Sequence, residues 1–275
     1  MPSFQIREGT LRRSGIAAAC DLLQVRGMEA SVFLTALVVV AYLLAGFVKG
    51  VIGMGLPTVA LGMLAAVMTP AQAAAILIAP SLATNIWQMV AGPYLFGLLK
   101  RLGGMLVGMF VGAWLGNGIL TGANAKPAAI GLGVVLIAYA LIGLSKVKFS
   151  VARKSEIWLG PIVGIVTGAI MAATGVFVIP ALPYLQAIGF EKDELVQALG
   201  VHFTISTFAL AAVLWDGGAF SPSLGTLSLF AIAPALIGMY AGQRVRARIS
   251  AETFRVFLYI GLFALGVLQI GRNVL

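Results

Sequence analysis

The stretch SVFLTALVVVAYLLAGFVKGVIGMGLPTVALGMLAAVM, residues 31–68, decides the fold. Its first part, 31–50, carries a single charge, Lys49. A hydrocarbon core of about 30 Å needs roughly 20 apolar residues in a helix, so 31–50 reads as a membrane span. Gly50, Gly53, Gly55 and Pro57 follow in close succession. Clustered glycines and a proline interrupt a helix, so the backbone is expected to break there. The apolar piece after it, 54–68, is too short for a comfortable crossing and reads as a half-helix.

The same reading extends outward along the chain. Further apolar runs cover about 71–91, 102–120, 128–145, 158–175, 176–188, 194–214, 224–242 and 253–271. Of these, 176–188 is again short and follows a small-residue break. Eight full spans and two short broken segments are therefore expected. With 60% hydrophobic and 10% charged residues, the chain cannot build a water-soluble surface; soluble domains carry about 25% charged residues. The fold class is all-α, a polytopic transmembrane helical bundle. The net charge of +9 sits in short loops, as the positive-inside bias produces. No aromatic-interleaved basic surface supports nucleic-acid binding. The single Cys20 excludes an intrachain disulfide and a cysteine-based metal site.

The two halves repeat an order of features. Gly46-Phe-Val-Lys-Gly50, Gly53, Gly55 and Pro57 in the first correspond to Gly164-Ile-Val-Thr-Gly168, Gly175 and Pro180 in the second. Each set is followed by a short apolar segment, then by a helix dotted with polar residues, Ala71–Ala91 or Glu194–Leu214. Loop charges alternate in the opposite sense. Lys100 and Arg101 follow the polar-dotted helix of the first half, whereas the counterpart Trp215–Ser223 has Asp216 and no basic residue. The next loop, Thr121–Pro127, has one Lys126, whereas Gln243–Ala251 has Arg244, Arg246 and Arg248. Matching loops on opposite sides of the membrane mark an inverted repeat. The expected organisation is an N-terminal tail 1–29, a first transmembrane repeat 30–145, a cytoplasmic linker 146–157 and a second repeat 158–275, about four spans each. The linker carries Lys146, Lys148, Arg153 and Lys154, and the C-terminus falls outside. The arginines of the tail argue for an inner N-terminus, strict inversion for an outer one. The tail does not read as a standard signal peptide; a surface-lying amphipathic helix around Leu11–Val25 is one reading of it.

Broken backbone at membrane depth is tolerated where protein or a water-filled cavity satisfies it. Half-helix N-termini there present partial positive charge. The segments 50–57 and 172–180 are therefore the first pointers to a substrate site, with Gly53, Gly55 and Gly175 allowing close approach of the backbone. Gly46, Gly50, Gly164 and Gly168 also suit close helix packing. Lys49 is the one charge well inside an apolar run, a placement that marks function by default, with snorkelling as the alternative. Ser81, Thr84, Asn85 and Gln88 fall at i, i+3, i+4 and i+7, one helical face, just after the helix-weakening Pro80. The matching helix carries Gln197, His202, Thr204, Ser206 and Thr207. Neutral donors suit a dehydrated oxyanion, and the same residue types also bridge helices. His202, the sole histidine, is either a proton carrier or a packed core residue. Glu191, Asp193 and Glu194 suit the dipole at a helix start. Catalytic carboxylate pairs, nucleophile–base sets and phosphate loops are not visible, so no enzyme, catalytic residue, metal or cofactor is expected.

At these motifs the chain resembles the TauE/SafE family of sulfite-exporter-type permeases. The resemblance rests on Ala45-Gly-Phe-Val-Lys-Gly-Val-Ile-Gly-Met-Gly-Leu-Pro57, Ala79-Pro-Ser-Leu-Ala-Thr-Asn-Ile-Trp-Gln88, Val178-Ile-Pro-Ala-Leu-Pro-Tyr-Leu-Gln-Ala-Ile-Gly189 and Glu194-Leu-Val-Gln-Ala-Leu-Gly200, continued by Thr204–Leu210. It spans about residues 30–270 and implies a repeated helical permease that exports sulfite, thiosulfate or organosulfonates. His202 departs from it, standing where a non-ionisable residue is expected.

Together these readings predict a multi-pass protein of a bacterial inner membrane. It would be a secondary transporter, in the export direction, of a small sulfur-containing anion by alternating access. The expected substrate-binding set is Lys49, Gly53, Gly55, Ser81, Asn85, Gln88, Gly175, His202, Thr204 and Thr207. Expected partners are the anion, the lipid bilayer and a proton as coupling ion, with a homodimer left open and no nucleic acid. A passive anion channel and a non-transporting membrane scaffold are the rival readings.

Overall fold

The computed structural model describes residues 32–123, 125–145, 150–246 and 251–274. The N-terminal tail with its arginines and Cys20, the linker residues Lys146 and Lys148, and Arg248 lie outside the described residues. Among the described residues the chain is all-helical, and eight helices are long and apolar enough to cross a membrane. Two compact units divide between Val39 and Val40. The first contributes to the described residues only the opening turns of α1, Val32–Ile52. Everything below concerns the second unit.

The elements that follow are α2 (Leu56–Leu64), α3 (Pro70–Val90), α4 (Leu95–Leu115), α5 (Lys126–Leu144), α6 (Glu156–Thr174), α7 (Ala181–Ala187), α8 (Lys192–Asp216), α9 (Pro222–Phe230), α10 (Ile232–Val245) and α11 (Ala251–Val274). Their boundaries follow local chemistry. Thr69 caps α3: its hydroxyl accepts from the Gln72 N–H, the Gln72 carboxamide accepts from the Thr69 N–H, and Pro70 opens the helix. Asp193 and Glu194 occupy the first turn of α8, where they complement the dipole without a side-chain cap bond. Gly175, at φ +79°, ends α6.

The span expected at 102–120 starts earlier, at Leu95, and ends at Leu115. Lys100 and Arg101 are thus helical rather than in a loop. The Arg101 guanidinium donates to both Glu156 oxygens at 2.8 and 2.7 Å and to the Ile188 carbonyl at 2.8 Å, and it lies over the Phe190 ring. Pairing makes the charge compatible with a helix end at the membrane surface. The expected 224–242 span is one crossing, Pro222–Val245, with a single irregular residue, Ala231, between α9 and α10.

Several helix pairs meet backbone to backbone, two of them along runs of glycine. Gly46 and Gly50 of α1 face the main chain of α10 around Ala235, Met239 and Gln243, while Gly238 and Gly242 of α10 face Leu43 and Phe47. A methyl group on Gly50 would lie 2.8 Å from the Gln243 nitrogen and 2.9 Å from the Gly242 Cα. Likewise Gly108 and Gly112 of α4 and Gly116 just after it face Pro161, Ile165 and Ala169 of α6, and Gly164 and Gly168 face Met105 and Met109. Close packing is therefore the observed role of Gly46, Gly50, Gly164 and Gly168. Residue numbers rise together across both contacts, so the partners run parallel. α3 packs on α8, and α5 on α11.

The first break comprises Gly53 (φ +82°) and Gly55 (φ +100°), which precede Pro57 in the first turn of α2. The second runs from Gly175 to Pro180 and holds a cis Ile179–Pro180 bond. At Gly55 a side chain would be strained and would meet Val48 Cγ1 at 3.0 Å. Gly55→Ala is expected to destabilise by about 1–2 kcal/mol, read as a lower melting temperature of the purified protein.

The faces between these contacts are apolar and uncovered: Phe96 is 84% exposed, Trp114 76% and Trp215 78%. An apolar surface of that extent requires lipid around it, and the chain is a multi-pass membrane protein.

Candidate functional site

The bundle has two ends. Arg101 ties the start of α4 to the start of α6 and the end of α7. Gln197 donates to the Met89 and Gly92 carbonyls at 2.8 and 2.7 Å and accepts from the Tyr94 N–H. These bonds bring the start of α4, with Lys100 and Arg101, to the same end as Arg153 and Lys154 just before α6. At the other end the Leu120 N–H donates to the Ala172 carbonyl, and Asn117 donates to Asp216 at 2.6 Å.

Near the basic end, one turn before the first break, stands Lys49. It is 4% exposed. Its ammonium does not reach toward the membrane surface but donates to Thr84 Oγ1 at 3.1 Å and to Asn85 Oδ1. The remaining bonds have forced directions. The lysine has only donors, so the Asn85 atom facing it is the oxygen. Asn85 Nδ2 then donates to Ser81 Oγ at 2.9 Å. The Thr207 hydroxyl donates to the Phe203 carbonyl at 2.6 Å, so Ser81 donates to Thr207, at 3.1 Å. Thr84 spends its proton on the Pro80 carbonyl at 2.9 Å.

Every oxygen along this chain faces an inward donor, and two N–H donors are left over. Lys49 retains a third N–H and Asn85 a second. Among the described residues no carboxylate pairs with Lys49; the ion pair formed is Arg101–Glu156. A buried ammonium held only by neutral groups, beside spare donors, is complementary to an oxyanion.

The other expected residues distribute as follows. Gln88 donates to the Gly53 carbonyl at 3.3 Å and the Val196 carbonyl at 2.8 Å, holding the first break against α8. Gly53 and Gly55 form that break, next to Lys49 in the chain. Thr204 turns its hydroxyl back onto the Gly200 carbonyl at 2.7 Å. His202 is not joined to the Lys49 chain. Its Nε2 meets the Phe177 carbonyl at 2.9 Å, inside the second break that Gly175 opens, and a carbonyl only accepts, so Nε2 carries the proton. Its Nδ1 is buried without a partner. The structure thus brings Lys49, Ser81, Thr84, Asn85 and Thr207 together and sets His202 and Gly175 apart on the second break.

Three residues escaped the sequence reading. The Tyr42 hydroxyl and Thr58 Oγ1 are buried without partners. Tyr42 is seven residues before Lys49, the same helical face, and Thr58 is in the first turn after the first break; both positions were readable as such. Ser228 accepts from the Ala79 N–H at 3.1 Å across to α9, a bond signalled only by Pro80 loosening α3 beside it.

No curated protein and no solved structure matches the chain. Residues 38–268, most of the chain and both breaks with it, match the family model described as Sulfite exporter TauE/SafE, and the chain belongs to that family of membrane transporters.

Proposed function

We propose that the chain is a secondary transporter that exports a small sulfur-containing oxyanion (sulfite, thiosulfate or an organosulfonate) across a bacterial inner membrane by alternating access. The observation that carries this is the buried Lys49 ammonium, paired with Thr84 and Asn85 and with no carboxylate among the described residues. A protonated amine in such surroundings is costly, and an incoming anion completes it. The binding set is Lys49 and Asn85 by direct donation. Ser81, Thr84 and Thr207 hold those donors in direction, and Gly53, Gly55 and Gln88 shape the wall. His202 and Gly175 belong to the second break, where the partnerless Nδ1 is the atom on which a coupled proton would ride.

The two halves, 30–145 and 158–275, are taken as inverted repeats. Their first helices pack on each other's bundles, α1 on α10 and α6 on α4, and the breaks that end them lie toward opposite ends of the bundle. Rocking of one bundle against the other would then expose the Lys49 site to each side in turn.

Counterflow in proteoliposomes tests the reading. Internal unlabelled sulfite is expected to accelerate uptake of labelled sulfite, and initial rates are expected to saturate. Flux that grows linearly with concentration and ignores internal sulfite would replace the carrier by a channel; no flux of any sulfur oxyanion would remove transport of this class.

A further inference from the structure

We propose a second oxyanion site, a vestibule at the end of the bundle away from the basic segments, built from Arg272 and the carboxamides of Gln72 and Gln269. It deepens the transport reading, on which the identity of its ligand rests. A cavity of about 390 Å³ lies there between the α2–α3 turn, the start of α5 and the last turn of α11. Its polar lining is Thr69, Gln72, Gln269, Arg272 and Asn273, with no acidic side chain among the described residues.

Gln269 supplies the independent sign of a ligand. It is 4% exposed, lines the cavity, and its carboxamide forms no hydrogen bond among the described residues. Elsewhere the chain's buried amides are engaged, as Asn85 and Gln197 are. A buried residue whose amide lines a cavity and has no hydrogen-bond partner among the described residues is poised for a solute.

The other groups are already turned toward a negative ligand. Gln72 spends its oxygen on the Thr69 N–H at 3.0 Å, which leaves its NH₂ donors free. Asn273 donates to the Gln269 main-chain carbonyl at 2.8 Å. Arg272, in the last turn of α11, has no acidic partner among the described residues. A water molecule occupies about 30 Å³ of liquid, so the cavity holds an oxyanion together with several of its waters.

Position gives the site its use. Thr69 and Asn85 mark the two sites on α3, about 16 residues apart, which is roughly 24 Å along the helix. The positive-inside bias puts the vestibule on the outer face. A hydrated anion leaving Lys49 would be received there, and one arriving from outside would be concentrated there.

The test separates this site from the deep one. Sulfite binding is measured at low ionic strength on purified protein in discs of zwitterionic lipid. Lys49→Met protein is expected to retain a weak site, and adding Arg272→Gln with Gln269→Leu is expected to remove it. In proteoliposomes the Arg272→Gln, Gln269→Leu pair on its own is expected to raise KM for sulfite offered from the outer face about tenfold, with a smaller effect on kcat. A Lys49→Met protein that binds no sulfite overturns the vestibule, as does a weak site indifferent to both substitutions. Absence of counterflow in wild type, with the weak site still sensitive to Arg272→Gln, would sink the transport reading and leave the vestibule standing. Repeating the titration in discs containing phosphatidylglycerol separates two sources of the same chemistry. Undiminished sulfite binding supports the soluble anion; displacement by the lipid assigns the site to a headgroup phosphate and overturns its role for cargo.

Discussion

Lys49→Met is expected to lower sulfite flux at least about 100-fold while leaving the melting temperature of the purified protein unchanged or higher. The two halves of that outcome come from one comparison of magnitudes. Burying an ammonium costs several kcal/mol even after relaxation. Two hydrogen bonds from a charged donor, to Thr84 and Asn85, return about 1.5–3 kcal/mol each. The resting protein therefore gains little or nothing from the lysine. With the anion bound the sign changes, because removing one member of a buried charge pair costs about 3–5 kcal/mol. At 1.4 kcal/mol per tenfold, that is a loss of about two to three and a half decades in flux. Methionine keeps the length and apolar stem, so packing between α1 and α3 is preserved. A lysine with a purely structural role would behave in the opposite way, with a large fall in melting temperature and normal flux in whatever protein survives. Either of those results removes Lys49 from the site.

The second large effect is on assembly. Gly168→Val is expected to abolish accumulation of folded protein, or to lower its melting temperature by more than any other single change proposed for this chain. The glycine faces the α4 backbone: a methyl there would lie 2.7 Å from the Ala113 nitrogen and 2.9 Å from the Met109 carbonyl carbon. Main-chain atoms cannot turn aside as a flexible side chain does, so α4 and α6 must separate along their length. In a bilayer that loss is not offset by burial elsewhere, since helix association rests on close packing. The control is Gly103→Ala, in open space on α4, where alanine is expected to be neutral or to stabilise by up to about 1 kcal/mol. Equal size-exclusion profiles and melting temperatures for the two variants would show that the α4–α6 contact does not govern assembly.

Much of this was legible along the chain, for stated reasons. Spans were readable because lipid demands long apolar helices, and both breaks because Gly53, Gly55, Pro57, Gly175 and Pro180 leave the helix few alternatives. The face of Ser81, Thr84 and Asn85 followed from helical spacing; its direct meeting with Lys49 did not, because nothing local to Lys49 names the partner of its charge. What did not follow were the facts decided by distant chain. Nothing local shows that Lys100 and Arg101 can be helical, because Glu156, which makes that possible for Arg101, is 55 residues away. Gln88 looked like a ligand group, yet the carbonyls freed by the break and by α8 claim it first. His202 shares a helix with Thr207, but five residues of helix turn the two side chains to different neighbours, one toward Phe177 and the other toward Ser81. The pairing of α1 with α10 has no local signature beyond glycine spacing, which names a kind of neighbour and not which one.

That pairing bears on how the protein is made. Gly46 meets its neighbour around Ala235 and Met239, about 190 residues later in synthesis, a delay of roughly 10–40 s at cellular elongation rates. Lys49 gains Thr84 and Asn85 early, but the glycine groove of the first helix waits in the bilayer until α10 has emerged from the ribosome. The nascent first half is thus an orphan with a bare seam, and truncated products that stop before α10 should be marked for quality-control proteolysis rather than persist as half-transporters.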